Sequence, residues 1–331
     1  MPPLVVDRVR SSRLENRHLV AVVAVRVDAA SPSPETGSPE AGSPEIVAMW
    51  GDGDRPTHPR SSIKLLQALP LVESGAADAF ALSPPELALA CASHQGEPDH
   101  LDAVRAWLAR VDRTVDDLEC GVQPGRDGTA LGNCCSGKHV GFLTLARHLD
   151  IDPTGYIALD HPVQQRVRDA VGRWTGVALA AGPDTAVDGC GIPIFPVSLT
   201  ALATSAARVG RAMIDAPDAA SGRLGRAMVD HPWFVAGTGS LVTEAMAAAG
   251  GRLLAKNGAD GVYWAAVPDR GIGIAIKCLD GADAAADTAL GHVLDHLGLF
   301  DHLGVEVERA FAAHRRLTNH AGVHVADLVV A

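Results

Sequence analysis

The sequence predicts an α+β protein, with an antiparallel sheet built from both ends of the chain and a helical region at about 60–250 between them. Strand-like runs rich in Val and Ile occur near both ends, HLVAVVAVRV at 18–27 and the pair GVYWAAV and GIGIAIKC within 261–278. Between these runs, apolar residues recur at helical spacing. Strands that are segregated from helices along a chain are typical of α+β architecture.

The composition of the chain limits which binding partners and which cellular compartment we expect. A chain of 331 residues with 47% hydrophobic and 20% charged residues predicts a globular protein of one large domain or two smaller ones, and we expect a single domain over 1–331. The net charge of -11 argues against nucleic acid or an anionic membrane as partner and leaves small polar ligands open. The first residues lack the pattern of a signal peptide, so we expect a cytoplasmic protein with reduced cysteines.

The N-terminal third begins with two strands, expected at 18–27 and 46–50. Between them the stretch SPSPETGSPEAGSPE repeats the tetrapeptide GSPE. Such a composition buries no core, so we expect a flexible hairpin insertion at about 31–45.

The helical region contains one strong start signal, Ser83-Pro84-Pro85-Glu86, which combines an N-cap serine with a capping-box glutamate before a helix over 84–93. Further helices are expected at about 137–149, 161–173, 199–215, 221–230 and 239–249. Near the C-terminus a Pro-Asp-Arg-Gly turn joins two apolar runs, which predicts adjacent antiparallel strands. Helices at about 283–297 and 307–314 follow.

Two lysines and two serines form the first chemical pattern. Ser61 and Lys64 stand three residues apart at an expected helix start, where a neutral lysine can accept the proton of a serine nucleophile. Ser93 follows on the helical segment 84–93, and Lys256 belongs to a Lys-Asn-Gly just before the C-terminal strands. Each motif alone is more simply a cap or an exposed turn. Their order, however, follows the layout of serine acyl-transfer enzymes of the β-lactamase and penicillin-binding type, although the match is partial because Lys-Asn-Gly is a variant and Ser-Asp-Asn is missing.

Two thiols and a lysine form the second pattern. Cys135 and Lys138 share one face of a helix start, and Cys190 follows Asp188 by two residues on a glycine-rich turn. Thiolates suit zinc, and a site with three protein ligands leaves a position for water. Two ordinary buried cysteines are the alternative. A thiol nucleophile with His139 as its base is a third possibility.

The stretches RSSIK, CASHQGE, NCCSGKHVG, DGCGIP, HPWFVAGTG and KNGADGVY together resemble the signature blocks of the Rhizobium etli-type L-asparaginases, the asparaginase II group. The blocks occur in family order from about residue 15 to the end. The resemblance implies a fold similar to serine β-lactamases and glutaminases, with two serine–lysine pairs and a zinc site. The pairs are Ser61 with Lys64 and Ser93 with Lys256. The implied zinc ligands are Cys135, Lys138 and Cys190, with Asp188 close by.

The implied activity is hydrolysis of L-asparagine to L-aspartate and ammonia by a homodimer acting on a linear amide. Arg60 is a candidate partner for the substrate carboxylate. The alternatives are a glutaminase or another serine amidase or β-lactamase-like acyl transferase, and a non-catalytic thiol–zinc protein. Lys277 rivals Lys256, which we prefer for its Lys-x-Gly context. Cys134 stands where the family usually has Asn and adds a thiol beside the predicted metal ligands.

Overall fold

The computed structural model describes residues 1–28, 31–32, 39–40 and 44–331, and these group into two compact units. We call them the sheet unit and the helical unit. The sheet unit comprises Met1–Ser62, Val197–Ala216 and Glu244–Ala331. The helical unit comprises Ile63–Pro196 and Pro217–Thr243. That the whole chain forms one domain stays a prediction.

The described residues include fourteen strands. They are β1 Leu4–Arg10, β2 Arg13–Arg26, β3 Ser31–Pro32, β4 Pro39–Glu40, β5 Glu45–Trp50, β6 Pro56–Thr57, β7 Ala186–Val187, β8 Pro193–Ile194, β9 Val197–Ser198, β10 Leu254–Gly258, β11 Val262–Val267, β12 Ile272–Cys278, β13 Arg316–Thr318 and β14 His324–Val330.

The same residues include thirteen α-helices and short 3₁₀ segments, of which the first, Arg60–Ile63, precedes α1. The α-helices are α1 Lys64–Glu73, α2 Ala76–Ala79, α3 Pro84–Ala90, α4 Pro98–Arg110, α5 Ser136–His148, α6 Pro162–Thr175, α7 Leu199–Asp215, α8 Ala220–Asp230, α9 Pro232–Ala236, α10 Leu241–Ala249, α11 Asp283–His296, α12 Phe300–Leu303 and α13 Val305–His314. Within the described ranges, no helix is both long and apolar enough to cross a bilayer.

An antiparallel sheet forms the core of the sheet unit, with strand order β10-β11-β12-β2-β1-β14-β13 and β5 also paired to β2. Helices α7 and α11 pack on it. Every residue of β11 is buried, as expected of a strand that is covered on both faces. At Gly273 a Cβ atom would lie 2.1 Å from the carbonyl oxygen of Ala203 on α7, so a residue without a side chain is needed there.

The predicted α+β architecture is confirmed, because strands from both ends of the chain share one antiparallel sheet. The antiparallel pairing of β11 with β12 is also confirmed. The predicted hairpin insertion at 31–45 lies largely outside the described residues, apart from the paired strands β3 and β4. The expectation for Lys256-Asn257-Gly258 was a turn before the strands. It is instead part of edge strand β10, because its backbone pairs with β11.

The helical unit places α5 against α1, α3, α4 and α6. Helices α5 and α3 approach closely at Gly137 in the first turn of α5, where an added Cβ would lie 2.4 Å from the carbonyl oxygen of Leu89. The capping box at Ser83 and Glu86 is present as predicted. Only a glycine at 137 therefore lets the start of α5 lie directly against α3.

The predicted helical position of Ser93 is wrong. Helix α3 ends at Ala90, because the Cys91 and Ala92 amides turn to the carbonyls of Ala88 and Leu89, three residues back. The Ser93 amide then donates to Val235 O at 2.8 Å instead of continuing the helix. Ser93 therefore lies on a non-helical segment.

Candidate functional site

The first residue of α1, Lys64, is completely buried and reaches the Ser93 segment of the helical unit. Its Nζ donates a hydrogen bond to Ser93 Oγ at 3.0 Å and to the carbonyl oxygen of Cys134 at 3.4 Å. A further bond joins it to the carbonyl of Ala92. The family resemblance implies that Lys64 and Ser93 belong to separate pairs. Their separation is within the reach that proton transfer between an amine and a hydroxyl requires.

Ser93 is partly exposed to solvent, and its hydroxyl lies against the buried amine of Lys64. The next residue, His94, is fully buried and accepts a hydrogen bond on Nδ1 from the Gly96 amide at 3.1 Å. Its Nε2 therefore carries the proton and donates to Ser136 Oγ at 2.9 Å, which in turn donates to Leu131 O. Burial lowers the pKa of His94 to about 3, so the ring is neutral.

Sequence reasoning missed this role of His94, although it stands in the quoted stretch CASHQGE. Ser136 begins α5, one residue after Cys135. The His94 ring therefore ties the Ser93 segment to the helix start that carries the predicted metal ligands.

The predicted metal ligands of the helical unit lie together, as the sequence suggested. Cys135 is the N-cap residue of α5 and Lys138 lies in its first turn. Cys190 lies in the turn between β7 and β8, closed by a bond from the Gly191 amide to Asp188 O at 2.8 Å. Lys138 Nζ and Cys190 Sγ are 3.2 Å apart.

These side chains form a buried charge cluster. Hydrogen bonds from the Cys134 and Cys190 thiols, helped by the lysines, hold the pKa of Cys135 well below its usual range despite burial. The pKa of Cys190 is raised by the hydrogen bond of its thiol to Cys135 and by burial. Burial disfavours a charged Lys138, but Cys190, Cys135 and Asp188 together outweigh it and raise the lysine pKa. The arrangement therefore favours a Cys135 thiolate beside a Lys138 ammonium.

The donor set fits zinc. Two thiol sulfurs and one amine nitrogen, all on side chains that are at least nine-tenths buried, are the soft and borderline donors that zinc prefers. A bound cation would displace protons from Cys190 and Lys138, and its positive charge would then balance the thiolates of Cys135 and Cys190. Cys134 Sγ lies 3.8 Å from Cys135 Sγ and is less buried, so the extra thiol stands at the edge of the donor set.

His139 does not supply a thiol base in this arrangement. Its Nδ1 bonds to the Tyr156 hydroxyl at 2.8 Å, and that hydroxyl accepts from the Glu119 amide at 2.9 Å. Tyr156 therefore donates to His139. Burial, with Lys138 next, holds the pKa of His139 well below its usual range. The ring acts as a neutral packing element in the core of the helical unit.

Ser61 and Lys256 both belong to the sheet unit. Ser61 lies partly exposed in the 3₁₀ segment that precedes α1, and Lys256 is fully buried on β10. Lys256 Nζ donates to Asn257 O at 2.7 Å and to its Oδ1 at 3.2 Å. At Gly258 a Cβ would lie 2.8 Å from Pro59 O and 2.9 Å from the Ser62 amide nitrogen.

The glycine of the Lys-x-Gly motif is therefore a contact residue. It lets the strand that carries Lys256 lie directly against the chain segment that carries Ser61. The contacts within each unit thus join Lys64 to Ser93, and the strand of Lys256 to the segment of Ser61. The pairs that the resemblance implied, Ser61 with Lys64 and Ser93 with Lys256, stay predictions.

Arg60 and Lys277, the alternative to Lys256, both contact Asp260. Arg60 forms an ion pair with the Asp260 carboxylate, and Lys277 Nζ donates to the Asp260 carbonyl. Burial lowers the pKa of Lys277, although it is only partly shielded from solvent. Lys256 is the more deeply buried of the two lysines, which agrees with the preference from its motif.

Comparison with known proteins identifies the protein family of this chain. No match is found among curated proteins. A family model described as L-asparaginase II matches residues 6–330, which is nearly the whole chain. The quoted sequence blocks, the α+β architecture and this match agree, and the chain belongs to the L-asparaginase II family.

Proposed function

We propose that the protein is an L-asparagine amidohydrolase that uses serine–lysine acyl transfer. The observation that carries the proposal is the buried Lys64 amine at 3.0 Å from Ser93 Oγ, in a chain of the L-asparaginase II family. The proposal includes a fold of the serine β-lactamase and glutaminase type. It is supported by Ser61 and Lys64 at the start of α1 and by Lys256 on an edge strand.

In the proposed reaction a serine oxygen attacks the side-chain amide carbon of asparagine. We assign this attack to Ser61, with Lys64 accepting its proton. For this step Lys64 is neutral, with its two hydrogens donated to the Ala92 and Cys134 carbonyls and its lone pair left for a serine hydroxyl. The carbon–nitrogen bond then breaks, and the proton passes through Ser93 and Lys256 to the leaving ammonia. Water attacks the resulting ester, which releases aspartate and returns the serine proton. Arg60 is the proposed partner of the substrate carboxylate.

Cys135, Lys138 and Cys190 are the proposed zinc ligands. Zinc would supply a fixed positive charge that orders groups around it. Lys64 donates to the carbonyl oxygen of Cys134, the residue before the first ligand. Fixing the start of α5 therefore fixes one acceptor of the proposed catalytic lysine.

Ammonia release from L-asparagine and L-glutamine tests the proposal. Ser61→Ala and Ser93→Ala should each lower kcat by about a thousandfold or more, because the first removes the nucleophile and the second a group of the proton path. Ser12→Ala, at an exposed turn residue, is the matched control and should keep wild-type kcat. A larger kcat/KM on glutamine would instead assign a glutaminase.

One pattern of results would end the serine–lysine proposal. If both serine variants kept wild-type turnover while Cys135→Ala abolished it, the thiol would be the reacting group. A wild-type protein without turnover on either amide, which nonetheless binds zinc, would indicate the thiol–zinc binding protein. Light scattering on the same samples tests the expected homodimer.

A further inference from the structure

A second group of metal-ligating side chains lies in the sheet unit, away in sequence from Cys135 and Cys190. It consists of His18 on β2, Cys278 at the end of β12 and Asp280 in the following turn. One donor atom from each residue lies within 4.8 Å of the others. We call this group the His18 cluster.

Strand register explains why these three residues meet. Cys278 is the register partner of Val20, and paired residues point to the same face of a sheet. His18 stands two residues from Val20 and so shares that face. The ladder continues through the Leu279 amide to Leu19 O at 2.8 Å, which carries the chain on to Asp280 beside His18.

The Asp280 carboxylate lies between the other two groups. The Cys278 thiol donates to its Oδ1 at 2.9 Å, and His18 Nδ1 donates to its Oδ2 at 2.7 Å. The Ala282 amide also donates to Oδ1 at 3.2 Å, which holds the carboxylate in place. The Cys278 thiol proton and the His18 Nδ1 proton thus lie where a shared cation would bind once the two ligands have lost these protons.

Burial gives the cluster a closed side and an open side. Cys278 is fully buried, whereas the side chains of His18 and Asp280 are 14% and 51% exposed. The sulfur therefore lies beneath the two surface ligands. A cation can enter from solvent and keep a water as its fourth ligand.

We propose that His18, Cys278 and Asp280 form a second metal site, which takes a zinc-like divalent cation. One sulfur, one nitrogen and one oxygen donor suit zinc or cobalt, whereas magnesium and calcium require oxygen ligands. The bound cation ties β2 to the turn after β12, joining residues 262 positions apart in the chain. It shares no ligand with Cys135, Lys138 and Cys190, and it does not depend on the proposed activity.

Titration of the metal-free full-length chain with Co²⁺ tests this site, with thiolate-to-cobalt absorption as the readout. The proposal expects one Co²⁺ per chain more in the wild type than in Cys278→Ser. Asp280→Asn and His18→Gln should bind that ion roughly tenfold more weakly or worse, since each removes a ligand. Cys91→Ser changes a cysteine of equal burial outside both groups and should keep the wild-type stoichiometry.

Two further arms keep the result decisive. Asp280→Asn preserves shape at a half-exposed position, so it carries the test if Cys278→Ser does not fold. The variant Cys135→Ser with Cys190→Ser should still bind one Co²⁺ with thiolate absorption from Cys278. If Asp280→Asn and Cys278→Ser matched wild type in stoichiometry and affinity, the cluster would be a hydrogen-bonded triad only.

Discussion

The stability of the sheet unit should carry a pH signature from one carboxyl group, Asp287 on α11. Burial raises the pKa of Asp287 to about 6, against the partial opposition of a hydrogen bond from the Tyr263 hydroxyl on β11. The ordinary value is 3.8. Between these two pH values the folded state binds more protons than the unfolded state, so the free energy of unfolding falls as pH rises.

The size of the effect follows from the shift. About two pKa units at roughly 1.4 kcal/mol each give about 3 kcal/mol lost between pH 4 and pH 7. Asp287→Asn cannot ionise and still offers an oxygen to Tyr263, so it removes this loss. Relative to wild type, its free energy of unfolding should rise by that amount across the window.

Urea denaturation at a series of pH values measures the difference between the two proteins. Asp295→Asn, at an exposed position on the same helix, is the control and should follow wild type throughout. The comparison cancels every other titrating group. If the difference between Asp287→Asn and wild type stayed flat from pH 4 to pH 7, Asp287 would have an ordinary pKa and the burial argument would fail.

Three further predictions concern the lysines and the packing of the helical unit. Lys256→Met should lower ammonia release by about a thousandfold while Lys277→Met retains most of it, and the reverse order would move the proton-relay role to Lys277. Gly137→Ala should reduce the free energy of unfolding by about 1–3 kcal/mol or more, because its Cβ would lie 2.4 Å from Leu89 O. Gly182→Ala, with open space around it, is the thermal-melting control, and equal melting temperatures would contradict the packing argument. Ser83→Ala should cost about 1 kcal/mol by removing the capping box of α3, and a chemical denaturation midpoint equal to wild type would contradict it.

Much of the architecture is readable from local patterns. The apolar runs at 262–267 and 272–278 are continuous, which is typical of buried strands, and the turn between them predicts that the two strands pair. The capping box before α3 is an equally local signal. Strands β1 and β14 escaped prediction because both carry charged residues and neither has a continuous buried apolar run. Pairing with each other, and with β2 and β13 respectively, makes them strands.

The grouping of the predicted metal ligands also follows from local patterns. Cys135 and Lys138 lie one turn apart on α5, and the short turn around Cys190 brings the third donor. The contact of Lys64 with Ser93 was not readable from spacing. It depends on α3 ending three residues before Ser93, which is decided by the bond of Ser93 to Val235 far along the chain. No local pattern encodes such a partner.

The pairing of β1 with β14 has a consequence for biosynthesis. Val6 faces Val330, and the Ala331 amide bonds to Val5 O at 3.0 Å, so one edge of β1 pairs with residues 324 positions later in the chain. Most of the helical unit is one continuous stretch, 63–196, and can begin to pack while translation continues. The edge of β1 that pairs with β14 must stay open until the residues of β14 have been synthesised. This sheet is therefore completed only after the whole helical unit has been synthesised, and the exposed strand edge is the point at which a chaperone would protect the nascent protein.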